Sequence, residues 1–384
     1  MVDYTELMAI FSTPRPNGSQ GERTTRSAIH AWLKRHNITY KTHLFTQYPY
    51  FFESLGFWLL ISRTALAVSL WLRKGWLTTL VAILGLAGGL LDVISHIPLV
   101  TWPGKRQGKN FILEFSPPQP QREILISAHY DSKTELLDHR QRMFFLKSLR
   151  PGILLSILPG LLGPLDRIFS PSRSRLAMLA RRSGFILSLP MLFLAWGYGL
   201  NLALGRLLKP SQGAVDDGSA CAVLLGLAAR LSESGPPPGT RVTLCLFTGE
   251  EADRQGSRAY VNSRSWHLPA RALNLEILAQ DGPYVLWECE GSVFHLEPTD
   301  ANLNSEVSRA VEKVTGDRPV FGGPITSDGA SFLDAGISTA ILGTYDSRQK
   351  DKGFHRPSDN LERVVISRIP EAVAILETFI SHTA

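Results

Sequence analysis

Charge is what this sequence has least of. Only 19% of its 384 residues are Asp, Glu, Lys or Arg, against 44% hydrophobic; a soluble globular chain carries about a quarter charged residues. The shortage is local, because long stretches carry almost none. Cysteine is scarce too: Cys221, Cys245 and Cys289 are odd in number and lack metal-ligand spacing. That excludes a disulfide framework and leaves small buried hydrophobes. The net charge of +6 is not gathered on one motif, and no helix-turn-helix, zinc-finger or RNA-binding signature accompanies it. No nucleic acid is therefore expected as a partner. Residues 1–6 are polar with no apolar run behind them, so no cleavable signal peptide is expected. The sequence also lacks internal repeats and long low-complexity tracts.

What is present first is a pair of apolar insertions. Residues 51–72 are mostly apolar, interrupted by Glu53 and Arg63; Arg73, Lys74 and Gly75 form a polar turn; residues 76–91 are uncharged up to Asp92. A bilayer-spanning helix needs about 20 mostly apolar residues. The two segments read as a membrane hairpin, with Trp58, Trp71, Trp76 and Trp102 placed as interfacial anchors. Arg63 inside a span must face a partner or snorkel. In the second insertion, residues 151–165 are broken by Pro159, Gly160, Gly163 and Pro164, whereas residues 184–205 carry no charge and form the clearest span. A basic loop with Arg167, Arg173, Arg175, Arg181 and Arg182 lies between them. Four spans in two hairpins return the chain to its starting side each time, as a single soluble domain requires. The competing reading is a set of buried helices in a large soluble protein.

The remaining segments alternate strands and helices. Strands are expected at 111–115, 123–128, 242–247, 272–278 and 338–342. Helices are expected at 22–36, where Ala28, Ile29, Trp32 and Leu33 recur at helical spacing, at 220–231, from 259 onward and at 369–381. That order indicates an α/β sandwich with a largely parallel sheet. Residues 1–50, 104–143 and 209–384 would form one domain, interrupted by hairpins at 51–103 and 144–208.

Residues fit for chemistry sit where those strands end. Glu250 and Glu251 follow strand 242–247, at the edge where open α/β sheets bind ligands. On extended backbone the pair would point in different directions, one toward a metal and one toward a substrate; the bland alternative is a solvated loop whose acids favour the next helix. Four more stretches carry metal-ligand residue types: Ala128-His129-Tyr130-Asp131-Ser132, Gly213-Ala214-Val215-Asp216-Asp217-Gly218-Ser219, Asn274-Leu275-Glu276 and Phe354-His355-Arg356-Pro357-Ser358-Asp359-Asn360. Asp131 is near enough in sequence to hold the second ring nitrogen of His129.

The succession AHYDS, GAVDDGSA, GEE with GSRAYV, NLE, TSDGASFLDAGI and FHRPSDN resembles the co-catalytic zinc aminopeptidases. That family includes leucyl aminopeptidases, glutamate carboxypeptidase and, more distantly, glutaminyl cyclases and the transferrin receptor ectodomain. The resemblance covers residues 1–50, 104–140 and 209–384. It implies a three-layer α/β/α sandwich with a mixed, largely parallel sheet, to which the two apolar helical hairpins are additions. It also implies two zinc ions bridged by Asp216 and a water, with His129 and Glu276 completing one site and Glu251 and His355 the other. Glu250 would be the general base, Asp131 would orient His129, and the Asp216–Asp217 peptide would be cis. Asp328 and Phe354 would face the substrate.

Three departures from the family pattern bear on the pocket. Glu276 stands where Asp is usual, Gly329 where His is common, and Phe354 where some members have a Tyr that can bond the oxyanion. No ligand type is lost. The expected function is a membrane-anchored, multi-pass zinc metallopeptidase, an aminopeptidase first, with a peptide substrate and the lipid bilayer as partners. The alternatives are a non-catalytic receptor on the same fold and glutaminyl cyclase-type acyl transfer.

Overall fold

The computed structural model describes residues 2–72, 75–148, 175–291, 295–345 and 353–382. The chain forms two compact units. One comprises Met1–Pro49, Lys105–Thr134 and Lys209–Ala384; the other comprises Tyr50–Gly104 and Glu135–Leu208.

The first unit is built on an eight-stranded sheet. Its strands are β1 (Lys41–Gln47), β2 (Arg106–Phe115), β3 (Arg122–His129), β4 (Thr240–Phe247), β5 (Ala270–Glu276), β6 (Tyr284–Trp287), β9 (Val320–Gly322) and β10 (Ser338–Thr344), in the order β1-β2-β4-β3-β5-β10-β6-β9. The inner strands β4, β3, β5 and β10 run parallel, whereas β1–β2, β2–β4 and β10–β6 pair antiparallel. The short strands β7 (Cys289–Gly291) and β8 (Leu296–Pro298) form a separate ribbon. The mixed, largely parallel sheet matches the expected fold class.

Period-two alternation explains why both faces are covered. On one face Ile124, Ile126 and Ala128 of β3 join Val242, Leu244 and Leu246 of β4 in the main core. That core is closed by the helices Tyr4–Ile10, Gln20–Arg35, Ala220–Ser234, Ala301–Thr315 and Arg368–His382. On the other face Leu125, Cys245, Phe247 and Ala272 pack with Tyr260, Val261 and Phe332, which belong to the helices Gln255–Ser263 and Gly329–Leu333. The helix expected from 259 thus begins earlier, at Gln255, because its first turn is polar and carries no apolar marker.

Followed toward its carboxyl end, this second face changes character. After Leu125 the same side of β3 presents Ser127 and then His129; after Ala272 the same side of β5 presents Asn274 and then Glu276. Ser127 and Asn274 are paired in register. Two apolar rows therefore end side by side in polar groups.

The second unit contains the helices Phe51–Trp71, Gly75–Ile94 and Arg175–Leu204. Phe51–Trp71 and Trp76–Ile94 are long and apolar enough to cross a membrane. Trp58 Nε1 donates to Gly85 O at 3.2 Å and Ser69 Oγ to Thr78 Oγ1 at 3.0 Å, tying the first two helices together. Trp196 Nε1 donates to Thr64 Oγ1 at 3.0 Å. A Cβ added at Gly56 would lie 2.6 Å from Gly199 O, so the first and third helices approach at glycine. Arg63 is buried inside this unit. Asp92 accepts backbone hydrogen bonds from Leu99, Val100 and Thr101 and so closes the turn after the second helix. The span expected at 151–165 lies outside the described residues; the one expected at 184–205 falls almost wholly within Arg175–Leu204.

Candidate metal centre

Three adjacent parallel strands deliver side chains to one edge of the sheet. β3 ends in His129, β5 ends in Glu276, and β4 runs through Phe247 into Glu250 and Glu251. Asp216 comes from the turn entering the helix Ala220–Ser234, and His355 from the loop before Arg368–His382. Asp216 Oδ1 stands 3.4 Å from His129 Nε2, and its Oδ2 stands 3.3 Å from His355 Nε2. His129, Asp216 and Glu276 form one group whose ligand atoms lie within 4.8 Å of one another; Asp216, Glu251 and His355 form a second. The two share Asp216, one oxygen turned toward each imidazole. All five residues expected as ligands are thus brought together, with Glu250 Oε2 3.8 Å from His129 Nε2.

Other carboxylates hold these groups in place. Asp131 Oδ1 accepts from Gly249 N at 3.0 Å and Glu250 N at 3.4 Å, while Oδ2 accepts from Glu251 N at 3.0 Å and Asn17 Nδ2 at 2.8 Å. Those amides gather around one acceptor because Glu250–Ala252 is a single tight 3-10 turn, not the extended backbone expected from sequence. Asp131 Oδ1 is 3.5 Å from His129 Nδ1, an ion-pair distance rather than a formed hydrogen bond. Asp217 accepts from the backbone of His129 and of Ile277, tying the ends of β3 and β5. Asp359 accepts from Val215 N and Asp216 N. The Asp216–Asp217 peptide is cis, as the resemblance implies.

Sequence reasoning missed the residue beneath this arrangement. Arg15, fully buried, donates Nε to Tyr130 O at 2.6 Å, Nη2 to Gly213 O at 2.6 Å, and Nη1 to Phe11 O at 2.9 Å and to Gln212 O. One guanidinium therefore pins the loop after His129 to the turn before Asp216. A lone Arg between two prolines carries no pattern that marks it.

The electrostatics fit a cation. Asp216, Glu250, Glu251 and Glu276 crowd around two imidazoles with little solvent. Burial lifts Glu250 well above the usual carboxylate range; His129 opposes this, and Glu251, Asp328 and Asp131 add to it. Burial lifts Glu276 likewise, with the Asp217 charge adding. Burial pulls His129 down, yet Asp131 and Asp216 hold it well above its ordinary value. Glu251 Oε1 lies 2.8 Å from His355 Nε2 without being aligned to accept a hydrogen bond. Lone pairs that converge on a point rather than pair off suit a metal ion. The oxygen and nitrogen set is one that zinc accepts.

Of the two residues expected to face the substrate, Asp328 is fully buried, with no hydrogen-bond partner within bonding geometry for either oxygen among the described residues, and burial pushes it up to about 6 against His129 and nearby Ser257. Its charge acts on Glu250. Phe354 is buried beside His355, its ring stacked on Tyr345 at a centroid distance of 6.2 Å.

Residues 198–379 match the model of peptidase family M28. No curated protein sequence matches the chain. Among solved structures the chain is similar to a Zn-dependent exopeptidase from Parabacteroides distasonis, at 13% identity over 98% of this chain and 96% of that one, with a TM-score of 0.56. It is similar also to BSAP, a zinc aminopeptidase from Bacillus subtilis, at 13% identity over 99% and 95%, TM-score 0.56. A glutaminyl cyclase from Porphyromonas gingivalis aligns at 12% identity over 99% and 97%, TM-score 0.57. At such identities the structural likeness concerns the fold. Together with the family match it bears out the resemblance to co-catalytic zinc peptidases.

Proposed function

We propose that this protein is a membrane-anchored zinc-dependent peptidase of the M28 type, acting as an aminopeptidase with two metal ions. The observation that carries the reading is the division of Asp216, one oxygen toward His129 and the other toward His355, between two ligand groups. Glu276 completes the first group, and Glu251 the second. Zinc bound there would polarise the scissile carbonyl and lower the pKa of water, which removes the need for a Ser or Cys nucleophile.

The chain's own residues supply the rest. Glu250 is held beside the ligands by the amide cap on Asp131 and is buried among carboxylates that raise its proton affinity. It takes the proton from the attacking water and returns it to the departing amine. Asp131, Asp217 and Asp359 keep the three ligand-bearing loops in register with one another. The catalytic domain would comprise residues 1–49, 105–134 and 209–384, with apolar membrane segments inserted at 50–104 and 135–208. Exposed Ile61, Ile83, Ile186 and Phe193 on the helices of the second unit favour a lipid environment.

Glu250→Gln tests the reading: hydrolysis of aminoacyl arylamides should fall at least about a thousandfold while zinc content by elemental analysis stays at the wild-type value. Turnover that persists would show the base to be misassigned, and a wild-type chain without zinc would sink the reading. The similarity to glutaminyl cyclases supplies a second reading. Ammonia release from an N-terminal glutaminyl peptide, without peptide hydrolysis, would favour it.

A further inference from the structure

Behind Glu276 lies a line of buried polar groups that the reaction above does not use. Glu276, Asn274, Ser327 and Glu290 are all nearly or fully excluded from solvent. Asn274 and Glu276 share one face of β5, and the amide bridges them: Nδ2 donates to Glu276 Oε1 at 3.1 Å and to Ser327 Oγ at 3.1 Å. On the other side of the amide, Ser127 Oγ donates to Asn274 Oδ1 at 2.6 Å. Ser327 Oγ in turn donates to Glu290 Oε2 at 2.6 Å, and Ser327 N donates to Glu290 Oε1 at 2.7 Å.

With Glu276 and Glu290 ionised, the direction of every bond in this line is fixed. Turning the Asn274 amide over would set its oxygen against Glu276 Oε1, two acceptors at hydrogen-bond distance. Both Nδ2 hydrogens are therefore committed, one to Glu276 and one to Ser327. Ser327 Oγ receives a second donor, Gly329 N at 3.1 Å, so both its lone pairs are occupied and its hydrogen must leave toward an acceptor. Glu290 Oε2 is that acceptor. Burial pushes the Glu290 carboxyl up to about 8, while both Ser327 donors, the Arg254 charge and Gly291 N pull it back. A proton on Oε2 would place two hydrogens between that oxygen and Ser327 Oγ.

We propose that Glu290 is a positioning residue for the metal centre, acting through the Ser327 hydroxyl and the Asn274 amide to hold Glu276 with Oε1 engaged and Oε2 turned toward His129. The proposal rests on the zinc-peptidase reading above. Glu276 Oε2 lies 3.9 Å from His129 Nε2, on the side where the shared ligand group converges. The longer Glu at this position has one more rotatable bond than the Asp usual in the family, so its carboxylate needs a fixed partner more than a shorter one would. Partners that orient a metal ligand in this way typically change metal affinity about 10- to 100-fold when lost.

The test uses the full chain in detergent and compares Glu290→Gln, Ser327→Ala and the double variant. Zinc affinity is measured by competition with a chromophoric chelator, and kcat and KM on an aminoacyl arylamide. The Glu290→Gln amide keeps the volume of the carboxylate but directs an N–H or a neutral oxygen at Ser327, so polarity alone changes. The expected result is zinc binding weakened about tenfold or more at one of the two sites in each single variant. kcat should fall with KM within about twofold of wild type. The double variant should be no worse than Ser327→Ala, because both substitutions break one line. Wild-type zinc affinity and kcat in Glu290→Gln, or losses that multiply in the double variant, would overturn the proposal. Should Glu290→Gln fail to fold, Ser327→Ala decides alone: wild-type affinity there overturns it. A wild-type chain that binds no zinc fails at the earlier step, and is told apart from a relay that fails in a zinc-loaded protein.

Discussion

Single residues in this protein act mostly by holding other residues. Asp131 illustrates this: from sequence it is a partner for His129, whereas its shortest contacts are to the amides of Gly249 and Glu251 and to Asn17. Asp131→Asn would replace one acceptor oxygen by a donor facing backbone N–H groups. It should lower kcat by about two orders of magnitude and loosen zinc, as chelator titration would read. Arg15→Met removes the charge and takes a donor from four carbonyls, of which Gly213 O keeps Gly218 N, and should destabilise the fold by about 3 kcal/mol or more in a denaturation series. Removing metal gives a pH signature. Glu250 and Glu276 sit well above their ordinary 4.5 in the folded chain, and His129 well above 6.5. A raised folded value means stability that is complete below the unfolded value and is lost as pH rises. Zinc-stripped protein should therefore melt at a lower temperature at pH 8 than at pH 5, and added zinc should restore most of the loss at pH 8. A thermal scan at the two pH values, with and without chelator, checks this.

Elements are legible where burial extends over a long run. β3 and β4 declare themselves as mostly apolar runs because both their faces are covered. β1, with a largely exposed pattern, and the three-residue strands β7 to β9 give no comparable run; β6 is apolar and buried throughout, but its four residues are too short a run to separate from other structure. The candidate ligand residues stand out because acids and histidines at strand ends are unusual and follow one another in a familiar order. Their supports do not: Arg15, Ser127, Ser327 and Glu290 gain meaning only when distant segments meet. The turn from β4 into its helix also depends on a residue with no side chain. A Cβ at Gly256 would stand 2.0 Å from Thr248 O and 2.7 Å from Asn110 Oδ1. Gly256→Ala should displace the Glu250–Ala252 turn, costing about 1–3 kcal/mol in chemical denaturation and most of the activity.

At the scale of the whole molecule, two units with different surface chemistry share one chain. The helices Phe51–Trp71 and Gly75–Ile94 show bare Phe57, Ile61, Ile83 and Leu84, a concentration of apolar side chains that water disfavours. The expressed chain should remain with membranes through carbonate washing, and recovery in the wash would refute membrane insertion. The order of segments has a further consequence, for biosynthesis. Strand β3 lies between β4 and β5, and both are encoded after residue 208. A nascent chain that has emerged as far as Leu208 owns the middle strand of its sheet but neither neighbour. The apolar helices must therefore find their surroundings while that strand still waits, and stalled chains of this length should stay open to protease at residues 122–129 until about seventy further residues have been added.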